Sequence, residues 1–243
     1  MARGNEDFTQ PIKVDVNAAF NAFDEVAPRL FSPDNFFRTG AVIFTDDFRD
    51  DLVPYRTTVS GAGSAVAMDT SYAHLGAQSV LLTAGAGVGR FAQLTKHLPL
   101  PDTQNMGFEW CFNILDRVEI ITFVVRVDRD SFFSIYSIRL SSVLGELDFT
   151  INSPTVVTIE ANDLDDYDFN SWHKIKFIVD TENHNLVIVQ FDNRRFVLNA
   201  TAGQNASGEV NQITASVRIT AGSAAARNIR IDAPVFTMDE IAE

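Results

Sequence analysis

Between Ser171 and Leu198 the chain reads SWHKIKFIVDTENHNLVIVQFDNRRFVL, a stretch that points to a β-hairpin. In its first arm Ile175, Phe177 and Val179 alternate with Lys174, Lys176 and Ile178; in its second, Val187, Val189 and Phe191 alternate with Ile188, Gln190 and Asp192. A period of two gives each strand one face for a core. The residues between the arms, Asp180 to Asn185, bond their own backbone and tolerate left-handed conformations, which makes them the turn. A second turn is expected at Asp192-Asn193.

The same punctuation recurs from Ala41 onward: AVIFTDDF, SAVAMDT, SVLLTA, GRFAQLTKHL, GFEWCFNIL, EIITFVVRV, SFFSIYSIRL, GELDFTI and TVVTIE precede the hairpin, and EVNQITASVRIT and NIRIDAPVFTM follow it. Short strands at this spacing with no long helix between them predict antiparallel sheets packed face to face. For 243 residues, 46% of them apolar, one large all-β domain with an appendage fits better than two domains. Gly61-Ala-Gly63, Gly85-Ala-Gly87-Val-Gly89 and Ala202-Gly203 read as turns. No helical pattern follows the Gly85 to Gly89 run to supply the amides of a phosphate loop.

Charge narrows the partners. A net charge of −13, with four lysines beside fifteen arginines, repels a phosphate backbone, and no basic patch with interleaved aromatics is present, so nucleic acid is not expected. No apolar run reaches the roughly 18 to 20 residues of a membrane helix, so membrane insertion is not expected either. Cys111, the single cysteine, lies inside GFEWCFNI and reads as a buried thiol. The opening MARGNED lacks the apolar centre of a signal peptide, which predicts cytoplasmic synthesis.

Residues 1–44 differ from the rest. Eight of the twenty phenylalanines fall within the first 48 positions. Val16, Ala19, Phe20, Phe23, Val26 and Ala27 follow the i, i+3, i+4, i+7 spacing, Asp15 or Asn17 can cap, and Pro28 ends the run, so a short amphipathic helix is expected. The arm either packs on its own sandwich or docks on another subunit, with Val16, Phe20, Phe23, Phe31, Phe36 and Phe37 as the docking side chains.

Four landmarks carry a resemblance: Asp46-Asp47-Phe48, then His74 to Leu82 (HLGAQSVLL), then Trp172 to Asp180 (WHKIKFIVD), and finally Asn228 to Phe236 (NIRIDAPVF). In order and spacing the chain from about residue 45 to 240 resembles the concanavalin A-like lectin and glucanase superfamily, of the laminin-G-like variety. The resemblance implies an antiparallel jelly-roll β-sandwich over residues 45–243, of two large curved sheets, the concave one often carrying a glycan or protein surface. Residues 1–44 lie outside it.

Retaining glucanases of that superfamily carry a Glu-x-Asp-x-Glu motif. Gly145 to Ile151 (GELDFTI) matches its first half, with Glu146 in the nucleophile's place and Asp148 in that of the supporting carboxylate. Thr150 or Ile151 stands where the general acid belongs, and neither side chain can protonate a leaving oxygen; retaining hydrolysis needs two carboxyls about 5 Å apart. Glu146 and Asp148 are therefore read as the outward positions of a strand whose Leu147 and Phe149 face inward, and no catalytic residue is assigned.

The remaining candidates are binding residues. Trp110, Tyr136 and Trp172 have rings that stack on sugars, although such residues are more often core. Asp163, Asp165, Asp166 and Asp168 form an acidic loop with oxygen ligands suited to calcium, without the glycine and terminal glutamate of an EF-hand; a solvated loop is the plainer reading. His74, His97, His173 and His184 have no zinc spacing, and no Gly-x-Ser-x-Gly elbow occurs. The expectation is a non-enzymatic structural or docking protein, self-assembling or incorporated in a phage-type virion, without a required cofactor; the alternative is a carbohydrate-binding module, and a glycoside hydrolase is disfavoured.

Overall fold

The structure is a computed structural model that describes residues 40–115, 120–141, 146–151, 156–160, 171–202, 204–206 and 211–241. Sixteen strands are described: β1 (Ala41–Thr45), β2 (Arg56–Ser60), β3 (Ala65–Asp69), β4 (Ser79–Ala84), β5 (Arg90–Pro99), β6 (Asn105–Ile114), β7 (Ile120–Arg129), β8 (Phe132–Ser141), β9 (Glu146–Ile151), β10 (Val156–Glu160), β11 (Trp172–Asp180), β12 (Asn185–Phe191), β13 (Arg194–Thr201), β14 (Asn205–Ala206), β15 (Gln212–Ala221) and β16 (Arg227–Met238). They form two eight-stranded antiparallel sheets. Sheet I runs β13-β12-β11-β6-β16-β4-β3 with β1 also on β16; sheet II runs β10-β9-β8-β7-β15-β5-β2 with β14 on β8.

The alternation read from the sequence sets the two faces. In β7, Ile121, Phe123, Val125 and Val127 point inward between half-buried Thr122, Val124 and Arg126, and β15 repeats this with Ile213, Ala215, Val217 and Ile219. Sheet I answers with Phe108, Trp110 and Phe112 of β6, Ile175 and Phe177 of β11, and Ile229, Ile231 and Phe236 of β16. Trp110 sits at the centre of an aromatic cluster, stacked on Phe177 at 5.4 Å and edge-on to Phe236 at 5.4 Å. Truncating a ring so enclosed costs about 3–5 kcal/mol.

The 171–198 hairpin forms as expected and gains a third strand, β13, across the Asp192-Asn193 turn. One inward residue differs. The register shifts between Ile178 and Val179, so Leu186 and not Val187 enters the main core, and Val187 joins Ile178 and Ile188 in a small cluster of its own. A second irregularity, between Asp232 and Val235 of β16, holds Ala233 at a φ of 44°. Asp232 supports it by accepting the Ala233 amide at 2.7 Å.

The N-terminal helix expected near Val16 to Ala27 lies outside the described residues. The first described strand, β1, pairs with the end of β16, Ala41 opposite Met238, and brings Phe44 against Phe236 at 5.2 Å.

Candidate functional site

The outward residues of sheet II's inner strands are those its core pattern leaves over. Antiparallel register places Thr58, Gln93, Arg218, Thr122, Arg139 and Asp148 in one row across β2, β5, β15, β7, β8 and β9, and Thr95, Ser216, Val124 and Ser137 in the next. Gln93, Arg218, Thr122 and Ser137 are half-buried, while Thr95 and Ser216 are 5% and 6% exposed. The face is thus lined by hydroxyls and an amide, with Gln93 Nε2 donating to Thr95 Oγ1 at 3.1 Å.

Among the described residues of the inner strands its charges are arranged in pairs, with one arginine left over. Arg126 forks onto Asp128, Nε to Oδ2 at 2.9 Å and Nη2 to Oδ1 at 2.6 Å. Arg139 closes on Asp148 Oδ2 through Nε at 2.9 Å and through Nη2. Arg218 forms no ion pair or side-chain hydrogen bond with any described residue, and its Nε is buried without an acceptor. Its guanidinium carbon lies 3.7 Å from the centroid of the Phe91 ring, a cation–π contact that fixes the plane of the fork. Burial lowers the basicity of Arg218.

Asp148 lies on this face, an outward position as the sequence reading has it, and pairs with Arg139, yet its side chain is fully buried. Its Oδ1 receives no hydrogen bond from a described residue. Two residues on in β9, Thr150 pairs with Ser137, so the register brings no second carboxyl residue to that position.

A second cluster lies on sheet I. Tyr72, 44% exposed, stacks on half-buried Trp172 at 5.8 Å and 24°, and His74 tilts against the same indole at 5.4 Å. Arg230 reaches over Tyr72 at 5.5 Å, holds Asp69 at 2.6 Å and donates to Ser71 Oγ at 3.1 Å. Against burial, which pushes it up, hydrogen bonds from Ser71 and the Arg230 guanidinium hold the Asp69 carboxyl below its ordinary value. The loop bearing Tyr72 and His74 is anchored from beneath: Asp232 Oδ2 accepts the amides of His74 at 2.7 Å and Leu75 at 2.9 Å. Burial raises Asp232 to about 6, against the lowering by the amides of Leu75, Ala233 and His74.

Two of the three stacking candidates are corrected. Trp110 is 4% exposed inside the aromatic core, and Tyr136 is fully buried with its hydroxyl 3.4 Å from the Asp180 carbonyl, so neither offers a ring face to a ligand. Trp172 is half-buried, its ring contacted by Tyr72 and His74 and its Nε1 buried. The docking residues Val16, Phe20, Phe23, Phe31, Phe36 and Phe37 and the acidic-loop residues Asp163, Asp165, Asp166 and Asp168 lie outside the described residues. Among the described residues no cluster of three His, Cys, Asp or Glu side chains is placed to hold a metal, and no helix is long and apolar enough to cross a membrane. The cavity lined by Phe48, Tyr55, Lys96 and Trp110 has room for a water molecule and not for a sugar.

Arg218, Phe91 and Tyr72 escaped the reading of the sequence. Arg218 and Phe91 each occupy the outward position of an apolar alternation, a signal that marks a face without saying what meets on it.

No family model matches the chain, and no curated protein matches it. Solved structures do. An endo-β-1,4-glucuronan lyase from the fungus Trichoderma reesei superposes with a TM-score of 0.56 at 10% identity, over 82% of this chain and 96% of that one. Lectin II from Ulex europaeus gives 0.53 at 9% identity, over 81% and 99%. A sialidase gives 0.53 at 10% identity over 81% of this chain, which spans only 18% of the sialidase's length. At such identities the likeness is one of architecture: the described residues adopt the lectin-like jelly-roll sandwich.

Proposed function

We propose that this chain is a non-enzymatic glycan-binding jelly-roll protein and that its contact surface is the outer face of sheet II. The observation that supports it is the row Gln93, Arg218, Thr122 with Thr95, Ser137 and Ser216 beside it, around the Arg218–Phe91 stack. Sugar hydroxyls both donate and accept, and a recessed array of hydroxyl and amide groups matches them; the aromatic ring adds apolar area. Against catalysis stands the commitment of Asp148 to Arg139, and Thr150 at the position where a second carboxyl would be needed. Calcium is no part of this reading.

The test is a glycan array on the full chain, followed by calorimetry on the hits, with reducing-end release from β-glucans and galactans measured in parallel. Binding without release is expected. Release above a blank, abolished by Glu146→Gln, overturns the non-enzymatic reading; no retention of any glycan overturns the binding one.

A docking or assembly role, as in a virion component, is a second reading, favoured by the density of phenylalanine in residues 1–44. Burying Val16, Phe20 and Phe23 contributes on the order of 1.5 to 3 kcal/mol each before ordering costs, enough for a subunit contact. Light scattering on the full chain and on a chain lacking residues 1–40 decides it. An oligomer that becomes a folded monomer supports assembly; a full-length monomer removes it.

A further inference from the structure

We infer that Arg218 is a carboxylate-recognition point on the outer face of sheet II, so that the glycan bound there carries an acidic sugar. This rests on the glycan-binding reading. Three arginines, Arg126, Arg139 and Arg218, stand outward on the inner strands β7, β8 and β15. The two carboxylates described with them, Asp128 and Asp148, are each taken by an arginine already, at Arg126 and Arg139. Arg218 is left with a buried Nε that meets no acceptor among the described residues.

An Nε–H withdrawn from water without an acceptor is costly, and Phe91 covers one face of the half-buried guanidinium at 3.7 Å. A guanidinium locked by an aromatic ring presents its N–H groups as a planar fork, and a carboxylate fits that fork with two parallel hydrogen bonds. The neighbours specify what carries the carboxylate. Gln93 lies opposite on β5, Thr122 opposite on β7, and Ser216 and Thr220 stand two residues either side on β15. Those are hydroxyl and amide partners for the ring of a sugar acid. The net charge of −13 disfavours a densely charged polymer, so the carboxylate is an isolated one.

The experiment uses the full chain and matched pairs of soluble probes: sialyllactose against lactose, cellobiouronic acid against cellobiose, and lactose 3-sulfate as a different anion. Calorimetry is expected to show one acidic member bound about tenfold or more tighter than its neutral partner, the worth of one charge-assisted fork. Which pair shows it separates a nonulosonic from a hexuronic acid. Arg218→Gln is expected to erase that preference, with an unchanged circular dichroism spectrum; Arg218→Lys, which keeps charge and loses the fork, is expected to fall between. Equal binding of both members of each pair, unaffected by Arg218→Gln, overturns the carboxylate inference and leaves the glycan reading standing. A preference confined to the sulfated probe overturns it too. Binding of none of the probes by a chain that retains neutral glycans on an array again overturns only the acidic specificity, whereas retention of no glycan removes both.

Discussion

Lys176 and Glu240 meet at 2.6 Å on the outer side of sheet I, with side chains 4% and 0% exposed. Glu240 Oε1 also accepts from Thr237 Oγ1 at 2.5 Å, and the carboxylate lies so close over β6 that a Cβ on Gly107 would stand 2.7 Å from it. Removing one charge of a buried pair costs about 3–5 kcal/mol. Glu240→Gln is therefore expected to lower the stability measured by urea unfolding by about 3 kcal/mol or more. Gly107→Ala is expected to act in the same direction by displacing the Thr237 hydroxyl and, next to it, the carboxylate. An unchanged urea midpoint in both variants would show that the pair contributes nothing.

Asp232 predicts an unusual pH response. Its folded value of about 6 exceeds the ordinary carboxyl value of 3.8, so the folded chain holds this proton more tightly than the unfolded one. Ionisation is therefore a penalty, complete above pH 6 and relieved as pH falls toward 3.8. At 1.36 kcal/mol per unit it amounts to at most about 3 kcal/mol. The stability difference between the native chain and Asp232→Asn, which does not titrate, is expected to shift in the native chain's favour from pH 7 to pH 4.5. A difference independent of pH would refute the shift.

The two tryptophans should be separable by acrylamide. Trp110 is 4% exposed and Trp172 is half-buried beneath Tyr72. Trp172→Phe is expected to leave fluorescence that resists quenching, with a blue-shifted maximum and at most a small loss of stability. Trp110→Phe should leave a quenchable signal and cost about 1–3 kcal/mol through imperfect filling of the core. Equal quenching of the two variants would contradict the packing.

Arg139 supports Asp148 structurally in this arrangement, and substitution should read out as stability. Arg139→Gln strands a fully buried carboxylate and is expected to cost about 3 kcal/mol, whereas Asp148→Asn together with Arg139→Gln should recover a large part of it. Thermal unfolding of the two single variants and the double variant checks this; simple additivity would show the two residues to be uncoupled.

The strands with alternating apolar residues were legible because one buried face imposes a period of two. β2 was not, since RTTVS is an edge strand exposed over most of its length and carries no such alternation. β13 does alternate, with Phe196, Leu198 and Ala200 packed on the core, but it hid in the tail of the hairpin. Val187 was misplaced because a one-residue register shift exchanges the faces, and composition does not announce a bulge. The site was less legible still. Gln93, Thr122 and Arg218 are unremarked polar residues in three separate segments, and only the insertion of β15 between β5 and β7 brings them into one row.

That insertion governs how the chain comes to be folded as it is made. The last two strands are not edge strands: β15 lies between β7 and β5 in one sheet, and β16 lies between β6 and β4 in the other. Until β15 and β16 leave the ribosome, each sheet lacks a middle strand, and β4, β5, β6 and β7 each expose an unpaired row of backbone groups beside half a core. Neither sheet can close from its N-terminal side, so the sandwich completes only once β15 and β16 are free to pair, with the slow kinetics of distant pairings. A stop codon ahead of β15 empties the centre of both sheets, one between β15 and β16 that of sheet I, and nascent chains that lack these strands are the species most in need of a chaperone.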